Sequence, residues 1–331
     1  MNKIGVSFGG GMSPPDLVDC ARAADKLGYD SVWMTEGNGG DQFTILTACA
    51  LTTENVRLGT DISSVYVRSA PTIAMASASV DHFSNGRFIL GLGSSHRVQV
   101  MGQHGLTYTK PLSRVVEYVE IIRSLIKTGS VSYEGDVVEI DNFTFSFNPI
   151  RQDIPIFLAA VYPKMLRVCG RIAQGVILTQ NTPSNITQSI GHITAGANEA
   201  NRDPNDIEVV SLITCFVTKD PTVARSDARN SLAYACGFYP RYSGFIGASG
   251  FSEEASGIRA AWLDGDQDKA RSLVTDQMID SLTIIGDTDH VLARLEDHRA
   301  AGVTLPIITF RPGMHDAKER VLETIRACAP I

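Results

Sequence analysis

The sequence predicts an α/β fold, a closed (β/α)8 TIM barrel in which helices surround a cylinder of parallel strands. Short apolar segments alternate with helical segments along most of the chain, the pattern of a parallel sheet with crossover connections. The predicted strands are strongly apolar, as expected of strands buried on both faces. No G-x-G-x-x-G motif follows the first strand, so nothing favours a doubly wound dinucleotide domain.

The elements are predicted from apolar periodicity and from helix start and stop signals. For the first helix, Ser13 is the expected cap, Pro14 the first position and Gly28 the terminator. The predicted strands are 3–8, 31–34, 56–63, 87–93, 154–160, 175–180, 207–217 and 304–310. The predicted helices are 14–28, 41–53, 71–84, 112–127, 163–173, 183–201, 288–301 and 315–327.

The whole chain, residues 1–331, is expected to form one barrel domain with insertions near 94–110, 129–150 and 220–280. Barrels of this class often run past about 250 residues as a single unit. Alternating residues and an internal Gly-Asp predict a hairpin in the second insertion. The third insertion is mostly helical and is expected to lie above strand seven.

Composition narrows the function classes. The formal net charge of −7 gives no attraction for a nucleic acid, and no apolar run approaches the length of a membrane span. The N-terminal stretch lacks the apolar region of a signal peptide, so a cytoplasmic protein is expected. The six cysteines include no Cys-x-x-Cys pair, which predicts structural thiols and no metal site.

In a (β/α)8 barrel, chemistry occurs at the carboxyl ends of the strands. Glu36 follows strand two, and it is expected either to orient a ligand or to cap the helix that begins near Asp41. His96 follows strand four, where it could exchange a proton, hydrogen-bond a ligand carbonyl or face solvent. Arg68 is expected to bind an anion at the barrel mouth or to pair with a carboxylate.

Several runs carry a family resemblance: SVWMTEGNGGD, VRLGTDISSVYVRSAPTIAMASAS and FSNGRFILGLG, and later IIGDTDHVLARLEDHRAAGV. Together they resemble the bacterial-luciferase-like superfamily. Within it, the chain is most similar to the branch that depends on the deazaflavin coenzyme F420, and especially to methylene-tetrahydromethanopterin reductases. It departs from those reductases by having Ser7 and His96 where they carry acids, and Gly37 where many deazaflavin relatives have a histidine.

The resemblance implies a flavin or deazaflavin at the barrel mouth. It implies a bulge with a non-prolyl cis peptide at Asp61-Ile62 that backs the central ring; the alternative is a trans strand end. The ends of strands five and six, with the helix that starts at Pro163, are implied to hold the phosphate tail. The implied cofactor-binding residues are Ser7, Glu36, Asp61, Ile62, Ser63, Ser94, Ala159, Ala160, Val161, Ile177, Leu178 and Thr179.

The function implied is hydride transfer between C5 of coenzyme F420 and a small organic substrate, with His96 and Glu36 as the catalytic candidates. Two alternatives stay open: an FMN-dependent luciferase-like monooxygenase, and a non-catalytic barrel that binds a flavin or deazaflavin. A homodimer through the second and third helices is also implied, and their small-residue runs TACALTT and AMASAS allow close helix packing.

Overall fold

A computed structural model of the chain describes residues 3–310 and 317–330. The strands in these residues are β1 (Gly5–Phe8), β2 (Ser31–Met34), β3 (Arg57–Thr60), β4 (Ser63–Ser64), β5 (Phe88–Gly93), β6 (Ser130–Glu134), β7 (Glu139–Thr144), β8 (Ile156–Ala159), β9 (Gly175–Thr179), β10 (Glu208–Val217), β11 (Thr283–Gly286) and β12 (Leu305–Thr309).

The helices of the described residues alternate with these strands or fill the insertions. They are α1 (Pro14–Lys26), α2 (Gln42–Thr52), α3 (Ala70–Phe83), α4 (Arg97–Gly102), α5 (Pro111–Thr128), α6 (Pro163–Ile172), α7 (Pro183–Glu199), α8 (Pro221–Phe238), α9 (Pro240–Ile246), α10 (Ser252–Leu263), α11 (Gln267–Ser272), α12 (Asp276–Leu282), α13 (Thr288–Ala300) and α14 (Ala317–Ala327). The first helix begins as predicted, with the Ser13 side chain accepting from the backbone N–H of Asp16.

Eight parallel strands close into a barrel, so the predicted fold class is confirmed. Their order is β1, β2, β3, β5, β8, β9, β10 and β12, and β12 pairs again with β1. The two remaining parallel strands are short. β4 pairs with the end of β5, and β11 pairs with the carboxyl-terminal half of β10.

The observed elements differ from the predicted ones in a few places. The expected hairpin is present as the antiparallel pair β6–β7. The helix α4 and the strand β11 were not predicted, and the predicted strand 56–63 is divided into β3 and β4. The last helix was predicted from residue 315, and residues 315 and 316 lie outside the described residues.

The apolar residues form two main layers. Inside the barrel, Trp33, Phe157 and Ile177 belong to one buried cluster, and the Trp33 Nε1–H donates to Ser31 Oγ at 2.8 Å. A larger cluster fills the space between the strands and the surrounding helices. All six cysteines are buried and unpaired, as predicted for structural thiols. None of the helices in residues 3–310 and 317–330 combines the length and apolar character that a membrane crossing needs.

Helices α8 to α12 form the third insertion, between β10 and β11, and they bury an apolar cluster of their own. The cluster includes Leu232, Ile246, Ile258 and Met278. Because α8 follows the carboxyl end of β10, the insertion lies at the same end of the barrel at which active sites of this fold are built.

Candidate functional site

A cavity of about 800 Å³ opens at the carboxyl ends of the barrel strands. This volume is within the range of sites that bind drug-sized ligands and cofactors. Its wall is contributed by the strand ends and by the helical insertion: Gly9, Gly10, Gly11, Thr35, Glu36, Gly37, Asn38, Asp61, Ile62, Gly93, Ser94, Ser95, His96, Gln99, Gln103, Ala159, Ala160, Val161, Tyr162, Met165, Ile177, Thr179, Gln180, Leu212, Asn230, Ser231, Tyr234, Ala235, Tyr239, Arg241, Tyr242, Trp262, Gln267, Arg271, Thr309 and Phe310.

The strand after Thr60 is interrupted by a bulge. Gly59 pairs with Ile89, and Ser63 pairs with Leu92. The three residues 60–62 therefore stand opposite the two residues 90–91 of β5, and the segment between β3 and β4 has one extra residue. The Thr60 hydroxyl bridges the gap, because Oγ1 accepts from the Gly91 N–H at 2.9 Å and donates to the Gly91 carbonyl at 2.8 Å. The Asp61-Ile62 peptide within this bulge is cis. The predicted bulge and cis peptide are therefore present, and the trans alternative is wrong.

Both residues of the cis peptide line the cavity. Ser7 Oγ donates to Asp61 Oδ2 at 2.6 Å, and the Asp61 N–H donates to the Met34 carbonyl at 3.0 Å. The Ile62 side chain packs against Gly93, where an added Cβ would lie 2.8 Å from Ile62 Cγ1. The result is a ledge, residues 61–62, that is supported from strand one and closely packed on β5.

Both carboxylate oxygens of Glu36 are engaged. Oε1 accepts from Arg68 Nε at 2.6 Å, and Oε2 accepts from the Ser64 N–H at 2.6 Å. Asp41, and not Glu36, caps α2, by accepting from the Thr44 N–H at 2.9 Å. Arg68 pairs with Glu36 and with Asp41, so the carboxylate-pairing alternative is the one observed. Glu36 thus holds β4, which follows the ledge, through the backbone N–H of Ser64.

The imidazole of His96 lies among aromatic rings. Its centroid is 4.2 Å from that of Tyr239 and 4.5 Å from that of Tyr242, so the ring does not simply face solvent. Burial, together with the positive charge of Arg241, lowers the pKa of His96 to about 4. Its Nδ1 has no hydrogen-bond partner among the described residues. A neutral imidazole at pH 7 can accept a proton or donate a hydrogen bond, but it has no imidazolium proton to give.

Most of the predicted site residues lie on the cavity wall. They are Glu36, Asp61, Ile62, Ser94, His96, Ala159, Ala160, Val161, Ile177 and Thr179. Three others do not lie on it. Leu178 packs in the layer between strands and helices, because side chains alternate along β9 and its neighbours Ile177 and Thr179 face inward. Ser7 is buried behind Asp61, and Ser63 is buried within β4.

The predicted residues did not include the groups that the helical insertion brings to the mouth. Arg241 is one of these groups: its Nη1 donates to Ser94 Oγ at 3.3 Å, and its guanidinium carbon is 5.5 Å from the Tyr108 ring centroid. Tyr239 and Tyr242 stand beside it against His96. No motif marks these residues in the sequence. The only signal was the position of the insertion after strand seven.

The loop between β8 and α6 also contacts the insertion. The Tyr162 hydroxyl donates to the Arg241 carbonyl at 2.8 Å, and its ring is 6.3 Å from that of Phe245. Helix α6 begins at Pro163, and no side chain of the described residues caps it, which leaves first-turn amides available to an anion. Among the described residues no group of three or more His, Cys, Asp or Glu side chains is placed to hold a metal ion.

The fold and the site define a (β/α)8-barrel protein with a cofactor-sized cavity above a cis-peptide ledge. The family described as luciferase-like monooxygenase matches residues 2–305, and the chain belongs to this family.

Relatives and solved structures refine this assignment. The chain is 30% identical over 325 residues to a 5,10-methylenetetrahydromethanopterin reductase of Archaeoglobus fulgidus, which covers 96% of each chain. The solved coenzyme F420-dependent tetrahydromethanopterin reductase from Methanopyrus kandleri superposes with a TM-score of 0.85 at 25% identity, covering 99% of each chain. An F420-dependent secondary alcohol dehydrogenase, solved with an F420-acetone adduct, has the same fold at a TM-score of 0.77 and 20% identity, over 98% of this chain and 99% of that one.

Proposed function

We propose that the protein is a coenzyme F420-dependent oxidoreductase that moves a hydride between C5 of the deazaflavin and a small organic substrate. The observation that carries the proposal is the ledge at Asp61-Ile62, which forms one wall of a cavity of about 800 Å³. Relatives that match almost the whole chain are named as F420-dependent enzymes or as the corresponding reductases. The size of the cavity, its ledge and the family assignment thus support the same cofactor class.

The residues around the ledge fit a flat tricyclic ring. Ile62 presents an apolar surface, and small residues at Gly93, Ala159 and Ala160 leave room beside it. Asp61 is held from below by Ser7, so the ledge is fixed before any ligand binds. A rigid apolar surface of this kind binds one ring face at low entropic cost.

The strand-five and strand-six ends fit the anionic tail of the cofactor. Val161 and Thr179 line the cavity there, next to the first turn of α6. Backbone amides at a helix N-terminus favour a phosphate through both hydrogen bonds and the helix dipole. We assign this part of the wall to the phosphate group.

The bound coenzyme supplies the hydride chemistry at C5, and the chain supplies position and environment. Asp61 and Ile62 of the ledge would hold one face of the ring, and the insertion residues on the same cavity wall would limit access of water to the site. Glu36 acts as a positioning residue through Ser64 and Arg68. Neutral His96 is suited to hydrogen-bond a carbonyl, because its lowered pKa leaves it without an imidazolium proton to give at neutral pH and makes it a weak proton acceptor.

Equilibrium binding to the purified protein tests the proposal. We expect F420 to bind at least about tenfold more tightly than FMN, and reduced F420 to be consumed in the presence of a hydride acceptor. Tight binding of FMN without F420 binding would instead indicate a flavin-dependent monooxygenase. Tight F420 binding with no turnover against alcohols, aldehydes, enones or pterins would indicate a non-catalytic binding protein.

The wall position Ala159 gives a structural check of the same proposal. Its side chain packs with Ile62 in the barrel-interior cluster, so Ala159→Phe places a ring in the cavity, and we expect it to weaken F420 binding by at least about tenfold. Ala260→Phe is the matched control, since Ala260 is exposed on α10 and is not part of the wall. Equal F420 affinity in the two variants would place the cofactor elsewhere.

We further propose that two copies of the chain pair through α2 and α3. Leu51 on α2 and Phe83 on α3 are 65% and 52% exposed, and Met75 on α3 is also exposed. Burial of such apolar surface is a common driving force for association. Leu51→Lys with Phe83→Lys should convert a dimer to a monomer in light scattering, whereas Leu263→Lys, at an exposed leucine of α10, should not. A wild-type chain that is monomeric at working concentration would contradict the proposal.

We also propose a cytoplasmic location. All six cysteines are buried and unpaired, and protein thiols remain reduced chiefly in the cytosol. Cell fractionation checks this, and recovery of the protein from an oxidising compartment would contradict it.

A further inference from the structure

Arg241 is placed close to the ledge although it is remote in sequence. It lies in the first turn of α9 and lines the cavity. Its Nη1 donates to Ser94 Oγ at 3.3 Å, and Ser94 directly follows Gly93, against which Ile62 packs. The guanidinium therefore lies on the part of the wall that adjoins the ledge.

The charge of Arg241 has no carboxylate within 4.0 Å among the described residues, whereas the other arginine of the cavity wall, Arg271, and the nearby Arg68 are paired. Arg271 pairs with Asp268, and Arg68 pairs with Glu36 and Asp41. The side chain of Arg241 contacts instead a hydroxyl, that of Ser94, and an aromatic face, that of Tyr108. A guanidinium has five N–H donors in a planar fork, so most of the donors of Arg241 are left for a ligand.

The surroundings of this cation are neutral and aromatic. Tyr239, Tyr242 and Trp262 line the same cavity, and His96 stays uncharged beside them. The cavity carboxylates are already engaged, Glu36 by Arg68 and Asp61 by Ser7. A site with one guanidinium that lacks a carboxylate partner among the described residues, and with several aromatic rings, is complementary to a flat molecule that carries a single carboxylate.

We propose that Arg241 binds a carboxylate of the substrate, and that the substrate is a small aromatic or similarly flat organic acid. This inference rests on the proposed function, because it assigns the part of the cavity beyond the ledge to the substrate. The anion bound by Arg241 could come from one other source, the acidic tail of the cofactor. The experiment separates the two sources.

The probe is benzoate, compared with benzamide, which has the same shape and no charge. Isothermal calorimetry on the wild-type chain, with and without bound F420, should give benzoate an affinity at least about tenfold higher than that of benzamide. Arg241→Gln should reduce benzoate to the affinity of benzamide, while the F420 affinity stays within about twofold of the wild-type value. Thermal melting of each variant confirms that it is folded.

Arg271→Gln is the control, since it removes a cavity arginine that already has a carboxylate partner. It should keep the preference for benzoate. Equal binding of benzoate and benzamide by the wild type, or no measurable binding of either, overturns the proposal. A preference for benzoate that survives in Arg241→Gln also overturns the proposal. If that variant instead loses most of its F420 affinity while its benzoate affinity is unchanged, Arg241 binds the cofactor tail. Loss of F420 binding by the wild type with the benzoate preference intact would defeat the proposed function and leave the anion site standing.

Discussion

The bulge leaves no room for a side chain at Gly91. A Cβ at this position would lie 1.8 Å from the carbonyl oxygen of Thr60, which is closer than any real contact. The two hydrogen bonds between Thr60 and Gly91 hold the strand together across the bulge. Any side chain at position 91 must therefore displace the segment that leads into the ledge.

We expect Gly91→Ala to lower the free energy of unfolding by about 2–3 kcal/mol, since the overpacked strand must shift. It should also weaken F420 binding by at least about tenfold, because the displaced segment carries residues 61–62. Urea denaturation and cofactor titration measure the two effects.

The same substitution at Gly191 is the control. Gly191 is exposed within α7, and a Cβ there meets no atom of the described residues within 4 Å. Gly191→Ala should stabilise the protein by about 0.5–1 kcal/mol, the usual gain for alanine over glycine in a helix. If both variants behaved alike, the bulge would not depend on a glycine.

The positions of His96 and Glu36 could be predicted from the sequence, but their individual roles could not. Both residues lie at the mouth because each follows a barrel strand, which apolar periodicity reveals. Whether His96 is charged depends on Arg241 and on two tyrosines more than a hundred positions away in the chain. Whether Glu36 is free depends on Arg68. Such partners are distant in the sequence and come together only in the folded structure.

Among the elements, those with regular periods were predictable and the short ones were not. The barrel strands and the hairpin β6–β7 follow from apolar runs and alternation. Strand β11 has four residues and follows α12 directly, so no turn signal separates the two. Helix α4 has six residues, too few for a clear helical period. The predicted inclusion of Leu178 in the site ignored the two-residue alternation of β9.

The segment 94–96 and helix α9 form a contact that is sensitive to acid. Its centre is His96, whose pKa is about 4 in the folded chain against 6.5 for the free side chain. Between these values the unfolded chain binds a proton that the folded chain does not bind, so stability is lost as the pH falls below 6.5. Buried His298 on α13, whose pKa burial also lowers to about 4, adds an effect of the same sign.

We expect the free energy of unfolding to fall between pH 7 and pH 5, by up to about 2 kcal/mol for each of these histidines. His96→Gln should remove one part of this pH dependence and His298→Gln the other, in urea denaturation series at the two pH values. His104→Gln, at an exposed position, should leave the dependence unchanged. An identical slope in all four proteins would refute the assignment.

In the molecule as a whole, the carboxyl end of the barrel forms the binding site and the amino end contributes to stability. The carboxyl end carries the ledge, the cavity and the insertion. The amino end carries an ion-pair group centred on Arg57, at the start of β3. Arg57 Nε donates to Asp30 at 3.0 Å, and its two Nη atoms donate to Glu208 at 2.9 and 3.0 Å. Because Glu208 begins β10, which does not pair with β3, this group ties strands together across the barrel bottom.

Arg57→Leu should therefore affect stability without affecting the site. It leaves Asp30 and Glu208 without their shared guanidinium, and exposed Lys3, 4.0 Å from each, compensates only in part. We expect a loss of about 2–4 kcal/mol in the free energy of unfolding, and an F420 dissociation constant within about twofold of the wild-type value. Arg22→Leu, which removes only an exposed pair with Asp19, should cost less than about 1 kcal/mol. If Arg57→Leu weakened cofactor binding as strongly as Gly91→Ala, the separation of a stabilising end from a binding end would be wrong for this barrel.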